Sequence, residues 1–149
     1  MEIGWRNHKH LLGVGDFSRE ELEAMLDVVN VFAFHSNEGR QLDLLRGSIL
    51  KPVFFEPSSR TQNNFEAAMH SMGGSVLSPH LTVTSSMEKG ETEQDTITTY
   101  AQYADLLVIR HPRSGSVREF AQAIDRQGNY ARVINAGDGP NEHPTQAIL

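Results

Sequence analysis

The 149-residue sequence contains no cysteine. That absence excludes disulfides, thiolate metal sites and cysteine nucleophiles together, and it fits a reducing compartment. One tryptophan and three tyrosines are too few to form a stacking platform for single-stranded nucleic acid. No basic run occurs and the formal net charge is −6, so no nucleic-acid partner is expected. Long apolar runs are missing as well. Leu106-Leu107-Val108-Ile109 is typical of the longest ones and is far too short to span a bilayer. Met1 to His10 is polar and lacks the apolar centre of a signal peptide. The expectation is a cytoplasmic protein, or one of an organelle lumen, with no membrane partner. Neither a GxxxxGK[ST] phosphate loop nor a GxGxxG fingerprint is present. His8, His10, His35, His70 and His80 show no metal-ligand spacing, so no metal site is expected.

What is present is ordinary for one globular domain: 38% hydrophobic and 21% charged residues, without internal repeats. Ser18, with Glu21 three residues on and Phe17 before it, predicts a helix start. Leu22, Met25, Leu26, Val29 and Phe32 then recur on one face. Ile49 to Phe55 reads as a strand, and Thr61 to Met72 as a helix stopped by Gly73-Gly74. Ser75 to Leu77 is a second strand, followed by a polar loop to Gly90. Glu91 to Tyr103 reads as a helix, Asp105 to Ile109 as a strand and Ser116 to Ile124 as a helix. Arg132 to Ile134 is a fourth strand, and Ala136 to Asn141 a Gly-rich loop. Pro144 to Leu149 starts a last helix. Alternating short strands and helices predict an α/β fold, a parallel sheet of about four strands with helices on both faces, over residues 1–149.

In such sheets ligands bind beyond the carboxyl ends of the strands, which directs attention to the loops there. Glu56-Pro57-Ser58-Ser59-Arg60-Thr61 places three hydroxyls and a guanidinium at a helix start. Free backbone N–H groups there suit an anion, and Arg60 adds a fork of donors matched to phosphate oxygens. A simple helix cap with a surface arginine is an equally open reading. Arg110-His111-Pro112 follows a buried strand, where an arginine serves either a crevice or a surface ion pair. The third loop, Asn135 to Gln146, has glycines that permit close approach to a ligand. It places His143 before Pro144 at a helix entrance; packing or capping is the alternative for that histidine. Ser85 to Glu91 reads locally as a solvated connection.

Phe54-Phe55-Glu56-Pro57-Ser58-Ser59-Arg60-Thr61, Asn63-Asn64-Phe65-Glu66 and His143-Pro144-Thr145-Gln146 resemble the signatures of the aspartate and ornithine carbamoyltransferases. The match continues in order through Lys89-Gly90-Glu91-Thr92, Asp95-Thr96 and Arg110-His111-Pro112, covering about Ile49 to Leu149. Lys89-Gly90-Glu91 and Asn135-Ala136-Gly137-Asp138-Gly139 resemble the aspartate branch more than the ornithine branch. The resemblance implies that Ser58, Ser59, Arg60, Thr61 and Arg110 grip the phosphate of carbamoyl phosphate. It also implies that Thr61, Arg110 and His143 face the carbamoyl oxygen, that Gln146 binds the carbamoyl amide, and that Glu56 helps join two domains on closure. Ser85 and Lys89 would reach into a neighbouring subunit's site within a homotrimer.

Two departures from the family pattern stand out. Ser59 replaces the usual threonine and keeps its hydroxyl, and Gln62 stands where arginine is common. The implied reaction is attack of the α-amine of aspartate on carbamoyl phosphate, giving carbamoyl aspartate and phosphate for pyrimidine biosynthesis, without a cofactor. The family continues into an aspartate-binding domain that this chain lacks. The expectation is therefore the carbamoyl-phosphate-binding half of a longer enzyme, inactive in transfer alone, with regulatory or fused partners open. An ornithine-type enzyme and a non-catalytic carbamoyltransferase-like subunit are the alternatives.

Overall fold

A computed structural model describes residues 7–39, 42–77 and 90–148. Its sheet has four parallel strands: β1 (Ile49–Phe54), β2 (Ser75–Val76), β3 (Leu106–His111) and β4 (Arg132–Asp138), in the order β2-β1-β3-β4. The helices are α1 (Arg19–Asn37), α2 (Ser59–Ser71), α3 (Glu93–Tyr100), α4 (Ser116–Arg126) and α5 (Pro144–Ile148), and a short 3-10 turn spans Val14–Asp16. The expected α/β class is what the structure has.

Alternation along the strands divides the apolar side chains between two cores. Leu107 and Ile109 of β3 join Val53, Val133, Ile97 of α3 and Val117, Phe120 and Ile124 of α4. Val108 instead meets Leu50, Ala136 and Met69 of α2 on the opposite face. Val117, Phe120, Ala121 and Ile124 fall on one stripe of α4 because they recur at helical spacing. Ile124 is 0% exposed, so cutting it to alanine should cost about 2–5 kcal/mol.

Several boundaries differ from expectation for identifiable reasons. β3 runs through Arg110 and His111 because β1 continues to pair with it: Phe54 is in register with Arg110, and the Phe55 N–H donates to the Arg110 carbonyl at 2.9 Å. β4 extends through Asn135 and Asp138, polar residues that are nonetheless 1% and 2% exposed because their side chains are hydrogen-bonded. α2 starts two residues earlier than the sequence suggests, placing Ser59 and Arg60 inside its first turn. α3 is shorter at both ends and begins after a Thr92/Asp95 capping box.

Ser18 and Glu21 do form the predicted box at the start of α1, with mutual hydrogen bonds of 3.2 and 2.8 Å. Its apolar face, however, is only half-buried. None of the described side chains of α1 is buried, and Leu26 is 40% exposed. Periodicity shows which residues share a face and says nothing of whether a partner covers it. The N-terminal segment supplies an unexpected strip on the free edge of β4, where Leu11 bridges Ile134 in parallel.

Candidate active site

The chain leaves β1 for β2 on one side, then crosses to β3 on the other. The strand order therefore changes direction between β1 and β3. The crevice beyond their carboxyl ends is the place where open parallel sheets take ligands. Arg110 stands at that end of β3. Its Nη2 lies 3.3 Å from Glu56 in the loop after β1, and its Nη1 donates to the Ala136 carbonyl of β4 at 3.1 Å. Arg110 thus spans all the neighbouring strand ends.

Gly137 lies beneath it, with φ of +116°. A Cβ at that position would sit 2.8 Å from Arg110 Nη1 and 3.5 Å from His143 Cδ2. Those two side chains therefore rest against a single α-carbon, and only glycine leaves the room and the backbone angle required. His143 enters from the start of α5, where its carbonyl accepts from the Gln146 and Ala147 N–H groups at 2.9 and 3.1 Å. Thr145 Oγ1 lies 3.3 Å from His143 Nδ1. If that hydroxyl donates, the ring hydrogen resides on Nε2. His143 Nε2 and Arg110 Nε are buried without a hydrogen-bond partner among the described residues. Unsatisfied buried donors are costly, so two at one place suit a ligand rich in acceptors. Burial first, and the Arg110 charge second, hold the His143 imidazole below its ordinary pKa. That shift favours the neutral ring.

The loop after β1 begins beside Arg110 and ends at α2. Ser58 occupies the N-cap position without making a side-chain cap bond, and its hydroxyl lies 3.0 Å from Thr61 Oγ1. The first-turn N–H groups of α2 are left uncapped by it, the arrangement that suits an anion. Ser59 and Arg60 are exposed on that turn, and Thr61 is partly covered. Gln62, the departure at the usual arginine, donates to Glu66 at 2.8 Å along the helix.

The structure thus brings Glu56, Arg110, Gly137 and His143 into contact, and sets Ser58, Ser59, Arg60 and Thr61 on the adjoining loop and first turn. Gln146 is exposed in the first turn of α5, where its backbone N–H donates to the His143 carbonyl. Ser85 and Lys89 lie outside the described residues. Glu56, expected to bridge domains, here forms an ion pair within this one. Sequence reasoning missed Asp138, whose buried carboxylate collects hydrogen bonds from several loops. The only signal was a polar Asn-Ala-Gly-Asp run continuing an apolar strand.

Among the described residues no group of three or more His, Asp or Glu is placed to hold a metal ion, and no helix is long and apolar enough to cross a membrane. An open concavity of about 600 Å³ lies at the opposite, amino end of the strands, lined by Ile49, Asp105 and Ala131 among others. It is remote from these side chains.

The fold and the site define a parallel α/β domain that gathers an arginine and a histidine beyond the strand ends at its switch point. Similarity to known proteins narrows this. The model of the aspartate/ornithine carbamoyltransferase carbamoyl-P binding domain matches residues 9–149. The aspartate carbamoyltransferase catalytic subunit of Thermococcus kodakarensis is 44% identical over 147 residues, covering 99% of this chain and 46% of that protein. A crystal structure of aspartate transcarbamoylase from Trypanosoma cruzi in complex with carbamoyl phosphate superposes with a TM-score of 0.83 at 40% identity, covering 94% of this chain and 42% of that one. The catalytic subunit of Methanocaldococcus jannaschii aspartate transcarbamoylase gives a TM-score of 0.84 at 41% identity, covering 95% and 44%. The chain belongs to the aspartate/ornithine carbamoyltransferase family. It spans somewhat under half the length of these relatives.

Proposed function

We propose that this chain is the carbamoyl-phosphate-binding domain of an aspartate carbamoyltransferase. The observation that carries the reading is the convergence of Arg110 and His143 on Gly137, with Arg110 paired to Glu56 in the loop that leads into the uncapped start of α2. Carbamoyl phosphate is a small acyl phosphate, and the two walls of the crevice match its two ends. Ser58, Ser59, Arg60 and Thr61 surround the phosphate, with Arg110 joining them. His143 Nε2 and Arg110 donate to the carbamoyl oxygen, and Thr61 assists. Gln146 holds the carbamoyl amide after closure; apo geometry is often looser than that of the occupied site.

The α-amine of aspartate attacks the carbamoyl carbon, forming the C–N bond and a tetrahedral intermediate whose oxygen carries the displaced pair. Collapse breaks the C–O bond to phosphate. The amine proton passes to a phosphate oxygen, and carbamoyl aspartate and inorganic phosphate leave. A neutral His143 supplies a hydrogen bond without needing to exchange its proton. Donors of this kind are each worth about 3–4 kcal/mol where water is excluded, and alignment of the reactants supplies about 7–11 kcal/mol.

The same reading carries a cytoplasmic homotrimer in which the segment bearing Ser85 and Lys89 completes a neighbour's site. A fused arrangement is also compatible with it, since the multifunctional protein CAD of Squalus acanthias matches 95% of this chain with 6% of its own length. The test is an assay of the full-length protein with carbamoyl phosphate and either aspartate or ornithine. Carbamoyl aspartate as the main product is expected. Preference for ornithine, or no transfer to either amine, overturns the proposal.

A further inference from the structure

We propose that Asp138 is a positioning residue for the transfer, its buried carboxylate fixing the turn that presents His143 beside Arg110. The inference rests on the function proposed above. Asp138 is 2% exposed and closes β4. Its Oδ1 accepts from the Glu142 N–H at 2.9 Å and from Asn135 Nδ2 at 3.2 Å; its Oδ2 accepts from the Gly115 N–H at 2.8 Å and from Asn141 Nδ2 at 3.2 Å. The carboxylate is therefore surrounded by donors that suit an ionised, acceptor-only group. Burial alone would push its pKa up; these hydrogen bonds outweigh that and hold it below the ordinary carboxylate value.

The partners explain what the carboxylate fixes. Glu142 immediately precedes His143, and the Glu142 carbonyl accepts from the Asp138 N–H at 3.2 Å, which closes the turn at both ends. Asn135, held by Asp138, accepts from the Gly137 N–H at 2.9 Å. That locks the α-carbon against which Arg110 and His143 rest. Gly115 caps α4, which anchors the arrangement to the buried core. Asp138 has no hydrogen bond to Arg110, His143 or the Ser58–Thr61 turn, so its influence on the chemistry runs through geometry. An asparagine there would turn one oxygen into an NH2 group facing an N–H donor, leaving two donors opposed.

The test compares Asp138→Asn with the unaltered full-length protein in carbamoyl transfer, inorganic phosphate binding and the imidazole NMR spectrum of His143. A small displacement of a reacting group can cost about 10²-fold, so kcat should fall roughly 10- to 100-fold. Phosphate affinity, which depends mainly on the Ser58–Thr61 turn and only in part on Arg110, should stay within about threefold, while the His143 resonances shift. Unchanged kcat with unchanged His143 resonances would overturn the proposal. So would an equal loss of kcat and phosphate affinity, which marks general damage. Should Asp138→Asn fail to fold, Asn141→Ala removes one donor at an exposed residue. A two- to fivefold loss of kcat, roughly, with a shifted His143 signal supports positioning, and no change in either overturns it. If the unaltered protein transfers to neither aspartate nor ornithine, the function fails, and the His143 spectrum still decides whether Asp138 fixes that ring.

Discussion

Arg110 and His143 rest on a glycine locked by buried hydrogen bonds, whereas Arg60 stands exposed on the first turn of a helix whose N-cap makes no cap bond. Under the proposed function, the two sides of the crevice have different tasks. Charge develops on the carbamoyl oxygen only during reaction, so donors aimed at it must be set beforehand to contribute fully. Phosphate carries its charge from the start and accepts hydrogen bonds from many directions. An exposed arginine can close on it as it binds, at the cost of ordering one long side chain. Changes on the open side should therefore show in binding, and changes on the fixed side in turnover.

The largest effect is expected from Arg60→Ala. Losing two charge-assisted hydrogen bonds at ~1.5–3 kcal/mol each lowers kcat/KM by about 10³-fold or more. Steady-state kinetics and phosphate titration should show affinity lost with activity. Near-normal turnover would remove Arg60 from the site and break the comparison at its open side.

His143→Ala is expected to come next, with kcat down about 10²- to 10³-fold and phosphate affinity nearly unchanged. Equal losses in both would mean the fixed side does not act on the transition state. The same residue gives a pH test. A histidine whose folded pKa lies below its unfolded value stays neutral as the pH drops past about 6.5; protonation favours the unfolded chain. Stability from this group is complete above that value and declines as pH falls toward the folded pKa. An NMR titration of the His143 ring should give a midpoint below that of a free imidazole, and Arg110→Met should move it upward. A midpoint at or above the free value contradicts burial as its main cause.

Gly137→Ala should weaken the fixed side more gently. Its φ of +116° and a Cβ 2.8 Å from Arg110 Nη1 force strain of about 1–3 kcal/mol, or displacement of the guanidinium. Melting temperature should fall by several degrees and kcat/KM by about tenfold. If calorimetry and kinetics both match the parent, Gly137 does not set the spacing of those side chains.

How these regions appear in the sequence follows the same division. β1 and the apolar part of β3 are legible because buried parallel strands are short apolar runs. The Ser18–Glu21 box is legible because a cap is a local interaction. The end of β4 is not, since Asn135 and Asp138 look like loop residues until their long-range partners are known. The incomplete burial of the α1 face is equally invisible, because helical periodicity carries no information about what packs on it. Residues 56–61, 110 and 143 each suggest chemistry locally, yet only the order β2-β1-β3-β4 makes their strands neighbours. The ordered resemblance to a family supplied that adjacency in advance; spacing alone did not.

Ser59→Thr is expected to have the smallest effect, and it sharpens the comparison by testing tolerance on the open side. The substitution restores the hydroxyl residue usual in the family at an exposed position of the first turn of α2. An added methyl group there meets solvent, and surface changes of this kind stay within about 0.5 kcal/mol. The hydroxyl itself is retained, so the hydrogen bond proposed for it to a phosphate oxygen survives a change of rotamer. Kcat and phosphate affinity should each stay within about twofold of the parent, with no change in the His143 ring resonances. A tenfold change in affinity would show that the first turn is as rigidly fitted as the Arg110–His143 side, and the contrast between adaptive and preset halves would fall.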